Sequence, residues 1–288
     1  MTETPSTLIR AWLARQLPHE ASAWLHGQLE KLSAAPAERD LHIALGLIPR
    51  RLGREDLALG AEDLAAARQA RADWDPRGWS LDEAARILVL CALGPRNTDF
   101  ATLYADLCRT ADVQEAIALY KGLPLYPEPE ALVAQAAEGV RTNMRAVFEA
   151  VAHDNPYPRD HFDENRWNQM VLKALFIGST LDPIVGLDDR ANPALAAMLC
   201  DYAHERWAAG RPVTPELWRC VGPFADEAAL KDLERALASS EETERRGGAL
   251  ALAASPAPEA KALLASVPEL SSQIERGDLT WHGLAAAL

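Results

Sequence analysis

The segment from His153 to Phe224 mixes charged and large apolar side chains more densely than the rest of the chain. This segment contains a lysine inside an apolar run, a loop with three aspartates and an arginine on the apolar side of a predicted helix. Such a mixture suits a small-molecule site, because most binding pockets are largely apolar and carry a few convergent polar groups. The candidate ligand-binding or polar-cluster residues are Asn165, Trp167, Asn168, Lys173, Asp182, Asp188, Arg190, Asp201, His204, Glu205, Arg206, Trp207, Arg211 and Trp218.

Arg206 is the most informative of these candidates. Residues 193–209 form an amphipathic helical pattern, and at about 100° per residue Arg206 falls on its apolar stripe. An arginine in that position favours a planar carboxylate or an anionic ligand. We expect a carboxylate of the Asp182–Asp189 loop to be its partner, with Lys173 in the same cluster. A ligand contact and a guanidinium extended to solvent are the alternatives.

Metal chemistry is the next possibility, since Asp201-x-x-His204 and His161-x-x-Glu164 each place a carboxylate and an imidazole one helical turn apart. Di-iron carboxylate bundles use a similar spacing, but they also need glutamates at the same depth on other helices. None stands out here. The sequence also lacks HExxH, GxSxG, a P-loop and the calcium-loop spacing. We therefore predict no metal and no cofactor, and we assign no catalytic residue.

Helical periodicity runs through the whole chain and sets the elements that must position these residues. Apolar residues recur at helical spacing, and proline or glycine ends most of the repeats, as at Pro36, in WDPRGWS and at Gly94-Pro95. One such stripe, expected to face the core, consists of Trp167, Met170, Val171, Ala174 and Leu175. Ser80 and Glu83 form a predicted capping box, and Asn192-Pro193 is a strong helix start. The helices bearing the candidates are expected at 162–177 and 193–209, and one long helix is expected at 129–152. Alternating strand patterns are missing. The predicted fold is all-α, with antiparallel helix pairs stacked in a HEAT-like solenoid.

The chain length of 288 residues corresponds to one or two domains. The segment LPLYPEPE is the most proline-rich stretch and the expected joint. The division is therefore placed between an N-terminal helical region, 1–124, and a C-terminal helical region, 125–288. The two regions forming one continuous domain is the alternative.

Charge and composition narrow the class of partner. The net charge of −13 argues against a nucleic-acid surface, and no apolar run approaches the length of a membrane span. The four cysteines form no CxxC and fit no zinc spacing, which favours a reducing compartment. The start of the chain does not resemble a signal peptide. We expect a cytoplasmic protein without nucleic-acid partners or direct membrane insertion.

The central segment resembles the EboA-domain family. The resemblance lies in NPYP, WNQMVLKALFIG, GLDDRANPALAAMLCDYAHERWAAGR and ELWRCVGPF, which together fall within residues 155–224. Members of this family are encoded beside a UbiA-type prenyltransferase, a TatD-like hydrolase and sugar-phosphate-processing homologues. The resemblance implies a role in making or exporting a small metabolite, including delivery of an intermediate to the periplasm. It brings no catalytic residue with it.

Two functions follow as hypotheses. The first is a non-enzymatic helical protein that binds a metabolite or proteins encoded in the same cluster, such as the prenyltransferase and the hydrolase. The second is an enzyme that acts on a polar or phosphorylated small molecule, such as a cyclitol, a sugar or a prenylated compound. An open groove with exposed aromatic residues favours the first, and a closed pocket with convergent charged groups favours the second.

Overall fold

Helices account for the regular structure in the computed structural model, which describes residues 3–34, 38–93 and 99–287. Within these ranges no strand forms, and isolated bridge residues are the strand-like features, among them the antiparallel pair of Asp56 and Ser80. The predicted all-α class is confirmed, and the solenoid arrangement stays a prediction. The proposed helix breaks at Pro36 and at Gly94-Pro95 lie outside the described residues.

The α-helices, in chain order, are α1 Pro5–Gln16, α2 His19–Ala34, α3 Glu38–Leu52, α4 Ala61–Ala70, α5 Leu81–Leu93, α6 Phe100–Thr110, α7 Val113–Lys121, α8 Val133–Arg141, α9 Arg145–Ala152, α10 Tyr157–His161, α11 Glu164–Phe176, α12 Pro193–Ala208, α13 Glu227–Leu237, α14 Glu242–Ala254, α15 Pro258–Ala265, α16 Pro268–Glu275 and α17 Trp281–Ala285. Short 3-10 segments lie at Leu123–Leu125, Pro129–Leu132, Pro215–Cys220 and Gly222–Phe224.

The expected long helix at 129–152 is wrong. The chain instead forms a 3-10 turn followed by α8 and α9, which pack against each other. The interruption lies at 142–144, where the Thr142 hydroxyl accepts the backbone N–H of Met144 at 3.1 Å. A hydroxyl that bonds to nearby backbone competes with the helix, and helical periodicity alone does not show this.

Two units are separated along the chain, Met1–Phe162 and Asp163–Leu288. The proline-rich segment near residue 124, at which the sequence pattern places a joint, lies inside the first unit.

The first unit is built around α5, which packs against α1, α2, α3 and α7. Every residue from Leu81 to Leu90 is buried. A helix that is apolar on most sides must be covered on all of them. Beside it, Trp74 lies between Trp12 and Trp79, with ring centroids 5.7 Å and 5.9 Å away. This aromatic cluster fixes the turn that precedes α5.

The second unit has α14 at its centre, in contact with α13, α15, α16, α17 and both nearby 3-10 segments. Small residues permit these close approaches. A Cβ added at Gly247 would lie only 2.7 Å from the Cβ of Pro215 and 2.8 Å from its carbonyl oxygen. The glycine therefore lets α14 lie directly against the 3-10 segment that carries Trp218 and Arg219.

The two helices expected in the candidate segment are present. One face of α11 is buried as predicted, with Trp167, Met170, Val171, Ala174 and Leu175. Helix α12 begins as expected: Pro193 occupies its first turn, and the Asn192 side chain accepts the N–H of Leu195 at 2.9 Å. The Ser80–Glu83 capping box is also confirmed, with bonds of 3.0 Å and 3.3 Å.

Candidate functional site

The first wall of the candidate site is the turn from Trp74 to Trp79, between α4 and α5. Asp75 accepts the backbone N–H of Arg77 at 3.0 Å, and its carboxylate also pairs with the Arg77 guanidinium. Gly78 adopts φ 69°, a left-handed conformation that glycine tolerates without strain. Both tryptophans are buried. The turn is therefore held at its ends by indoles and presents charged groups between them.

The second wall comes from α5 and α7. Lys121, the last residue of α7, donates to both oxygens of Glu83 at 2.9 Å and 3.1 Å. Glu83 also caps α5 by accepting the N–H of Ser80. Ile117, one turn before Lys121, adds a buried apolar surface. A cation at a helix C-terminus is favoured by the helix dipole, so the pair is supported from both sides.

The third wall is α9 and the loop that follows it. Asn155 is buried, and its amide nitrogen donates to the carbonyls of Tyr120 and Ala150, both at 3.1 Å. Its amide oxygen accepts the N–H of Tyr157 at 3.0 Å. These bonds connect the ends of α7 and α9. The preceding residue, Asp154, has φ 50° and carries its carboxylate at the pocket.

Together the three walls form a partly open cavity of about 300 Å³, which we call the Trp74–Asp154 pocket. It lies entirely within the first unit. Its lining residues are Trp74, Asp75, Arg77, Trp79, Glu83, Ile117, Lys121, Ala146, Glu149, Ala150, His153, Asp154 and Asn155. Tryptophan and aliphatic surfaces, ion pairs and a histidine therefore meet in one concavity, as in small-molecule sites.

The pKa values of the two aspartates in the pocket are shifted in opposite directions. Burial alone would raise the pKa of Asp75, but hydrogen bonds from Arg77 outweigh it and hold that pKa below its usual value. Partial loss of hydration beside the pocket wall raises the pKa of Asp154 although the residue is largely exposed, and the charge of His153 opposes the rise. Among the described residues, the Asp154 carboxylate forms no hydrogen bond or ion pair. A carboxyl with a raised pKa in a cleft is a recognised sign of a functional site.

The aspartate loop of the second unit does form an ion cluster, but its arginine is Arg219. The Arg219 guanidinium donates to both oxygens of Asp188 at 2.7 Å and to Asp182 at 2.9 Å. His282 of α17 lies 2.7 Å from the other oxygen of Asp182. The predicted partner of Arg206 is therefore wrong. Arg206 donates to the carbonyl of Pro212 at 3.0 Å, because the chain turns back just after α12 ends.

A second group of predicted residues joins the starts of α11 and α12. The side-chain amides of Asn168 and Asn192 exchange hydrogen bonds of 2.9 Å and 3.2 Å. The Arg190 guanidinium lies over the buried indole of Trp167, 4.7 Å from its centroid. A reciprocal amide pair and a cation–π contact are both stabilising, so these contacts help to hold the starts of the two helices together.

A third group surrounds the end of α12. The indole of Trp207 lies 5.7 Å from Trp218 and 4.0 Å from the Arg235 guanidinium. His204 lies 2.8 Å from Asp232 of α13, so its carboxylate partner is on another helix and is not Asp201. This partner choice differs from the one-turn Asp201–His204 pairing considered from the sequence.

The remaining candidates lie on α11, on α12 and just after the end of α12. Lys173 is half-buried, and its ammonium lies 5.4 Å from the centroid of the Phe176 ring. The others are exposed, namely Asn165, Asp201, Glu205 and Arg211. The predicted set therefore falls into three separate clusters and several exposed residues, and its role in ligand binding stays a prediction.

Metal ligation has a limited basis. Throughout the described ranges, no group of three or more His, Cys, Asp or Glu side chains is arranged to hold a metal ion. His161 lies 4.0 Å from Glu130 across the first unit, so its acidic neighbour comes from the 3-10 turn before α8.

The helices described also include none that is long and apolar enough to cross a membrane.

Sequence reasoning missed most of the Trp74–Asp154 pocket. The segment WDPRGWS was interpreted only as a helix break, and Glu83 only as a capping residue. One signal was present: two tryptophans that flank an acid and a base inside a tight turn are more than a helix break needs. Asp154 and Asn155 lie in the candidate segment but were not selected.

The fold and the site together define an all-α protein whose first unit contains a cavity lined by polar and aromatic residues. The family described as "Metabolite traffic protein EboA" matches residues 5–222 of the 288, and the chain belongs to this family. The match includes every segment that lines the pocket. A search of the curated proteins and of the solved structures gave no match to this chain.

Proposed function

We propose that this chain is a non-catalytic helical component of a metabolite biosynthesis or export system and binds a small metabolite in the Trp74–Asp154 pocket. The single observation behind this proposal is the convergence of three distant segments on one partly open cavity of about 300 Å³, lined by tryptophans and by cations that are already paired with carboxylates. That volume is at the lower end of the usual range for small-molecule pockets. The family's role in metabolite traffic supports the same conclusion.

The wider role is also a proposal. The chain would act in the cytoplasm and pass an intermediate on towards the periplasm through proteins encoded beside it, such as the prenyltransferase and the TatD-like hydrolase. Support comes from the family membership and from the resemblance of the central segment. Co-purification of each tagged partner with this chain tests the protein contacts, and Ala146→Trp should leave them intact if the pocket only holds the metabolite.

A thermal-shift screen tests ligand binding directly. The probes are phosphorylated sugars, cyclitols, small aromatic amines and prenyl diphosphates, each at millimolar concentration. Ligand binding to the folded state raises the melting midpoint by mass action. We expect one probe class to raise it in the natural chain.

Two variants make this screen specific for the pocket. Ala146 is an exposed residue of α9 on the pocket lining, so Ala146→Trp should fill the cavity and remove the shift. Ala11 is exposed on α1 and does not line the pocket, so Ala11→Trp should keep the shift. Equal shifts in both variants would place binding elsewhere and overturn the proposal.

Catalysis on a polar metabolite is the second candidate, supported by one observation: His153 and the raised-pKa carboxyl of Asp154 are adjacent at the pocket. General acid–base chemistry uses such groups. Incubation of any bound probe with stoichiometric protein, followed by mass spectrometry, separates the two functions. Recovery of unchanged probe supports a carrier. A product that disappears in Asp154→Asn supports an enzyme.

A further inference from the structure

The charges that line the Trp74–Asp154 pocket are unbalanced, and the imbalance carries information about the ligand. Four carboxylates line it, from Asp75, Glu83, Glu149 and Asp154. Arg77 and Lys121 are the two permanent cations in that lining, and His153 beside Asp154 adds a positive charge when it is protonated. Both cations already hold a carboxylate: Arg77 binds Asp75, and Lys121 binds Glu83. An incoming anion would have to compete with these partners.

Glu149 is occupied as well, because the Arg145 guanidinium on the same helix lies 2.6 Å from its carboxylate. Asp154 differs from the other three acids. Within the described residues, its carboxylate receives neither a hydrogen bond nor an ion pair. It therefore remains available to a ligand.

The main chain at Asp154 is fixed by its neighbours. Asp154 follows the end of α9 in a left-handed conformation, at φ 50°. The next residue, Asn155, is anchored by three side-chain hydrogen bonds, to Tyr120, Ala150 and Tyr157. The main chain that carries the carboxylate is thus fixed before any ligand binds, which reduces the entropy that binding must remove.

Part of the pocket lining is apolar. Trp74, Trp79, Ile117 and Ala150 are buried lining residues. A ligand that contacts this part gains from burying an apolar body. The same ligand must present a hydrogen-bond donor to Asp154.

We propose that the pocket takes a small molecule with an amino group on an apolar or aromatic body, and that the Asp154 carboxylate binds its ammonium. This proposal rests on the proposed function, since it names the ligand class of the same pocket. A charged donor forms a stronger bond to a carboxylate than a neutral hydroxyl does. A phosphate group would meet like charge from Asp154, and the chain's net charge of −13 adds to that repulsion.

Three probes with one shared body test the ligand class: 2-phenylethylamine, 2-phenylethanol and 2-phenylethyl phosphate. Binding of each is measured by ligand-observed NMR titration of the full chain at neutral pH. We expect the amine to bind at least about tenfold more tightly than the alcohol, and the phosphate to bind most weakly. Filling the pocket with Ala146→Trp should abolish amine binding.

Asp154→Asn is the matched variant, because asparagine tolerates a left-handed backbone and removes only the charge. It should reduce amine affinity to that of the alcohol and leave the alcohol unaffected. Glu128→Gln controls for the loss of one negative charge. Glu128 is exposed, also has a positive φ of 51° and does not line the pocket. This control should keep the full amine preference.

The outcomes are distinguishable. If the alcohol or the phosphate binds as tightly as the amine and Ala146→Trp abolishes that binding, the pocket binds small molecules but the amine inference is overturned. An amine preference that survives Asp154→Asn overturns it too. If no probe of any charge shows binding that Ala146→Trp removes, and the wider screen is also negative, the proposed function fails together with the inference.

Discussion

Lys121 and Glu83 form an ion pair in which one carboxylate oxygen accepts two hydrogen bonds. Glu83 Oε2 accepts one from the Lys121 ammonium at 2.9 Å and one from the Ser80 N–H at 3.0 Å. Their side chains are 26% and 11% exposed, so the pair is largely shielded from water. The relationship joins the start of α5 to the end of α7. It thereby couples a helix cap, which is a local feature, to a wall of the pocket.

We predict that Lys121→Met lowers the free energy of unfolding by about 1–3 kcal/mol, because it leaves the Glu83 carboxylate shielded and without its cation. Chemical denaturation of the purified variant measures this. The matched control is Lys231→Met, which removes an exposed pair with Glu227 one turn away on α13. That change should cost less than about 0.5 kcal/mol. Equal effects in the two variants would show that burial does not strengthen the Lys121 pair.

Arg219 should matter to stability where Arg206 does not. Arg219→Met leaves Asp182 and Asp188 without their shared guanidinium, and we expect a loss of about 1–3 kcal/mol in the free energy of unfolding. Arg206→Met removes only the hydrogen bond to the Pro212 carbonyl and should cost less than about 1 kcal/mol. Denaturant titration of both variants decides the assignment. A larger loss for Arg206→Met would contradict the ion cluster described above.

Two helical glycines should respond in opposite directions to alanine. At Gly247 the new Cβ would lie 2.8 Å from the Pro215 carbonyl oxygen, so Gly247→Ala must push α14 away from the 3-10 segment. We expect a loss of about 1–3 kcal/mol. Gly46 lies within α3 with open space around its added Cβ. Gly46→Ala should stabilise the chain by about 0.5–1 kcal/mol, because alanine is the better helix former. Thermal melts of the two variants provide the comparison.

Asp154 should make a pH-dependent contribution to stability. Its pKa is raised in the folded state, so folding favours the protonated carboxyl. The protonated Asp154 carboxyl stabilises the folded state fully below the unfolded pKa of about 3.9, and this stabilisation is lost as the pH rises through the folded pKa. Asp154→Asn should therefore increase stability at neutral pH, by less than about 1 kcal/mol because the side chain is exposed to solvent.

The difference between Asp154→Asn and the natural chain should shrink as the pH is lowered towards 4. Denaturation at several pH values measures it, with Glu128→Gln as the control for the loss of one surface charge. A variant that is less stable than the natural chain at neutral pH would mean that the Asp154 carboxylate has a stabilising partner.

The sequence alone determined the local features of this protein. Capping by Ser80 and Asn192 and the buried face of α11 were all predicted, because each depends on residues within one or two helical turns. The all-α class followed from the same periodicity. The break between α8 and α9 was not predicted, since a threonine hydroxyl gave the backbone a local alternative to helix.

Tertiary structure alone decided which distant side chains meet. Arg206 occupies the apolar side of α12 by periodicity, yet Arg219 reaches the aspartates, because packing of α14 against the 3-10 segment sets where that arginine lies. In the same way, Trp74, Lys121 and Asp154 belong to segments far apart in sequence and line one pocket only through the packing of α5, α7 and α9. Helical periodicity specifies which face of a helix is buried. It does not specify the neighbour against which that face packs, because that choice depends on the shapes of all the packed side chains together.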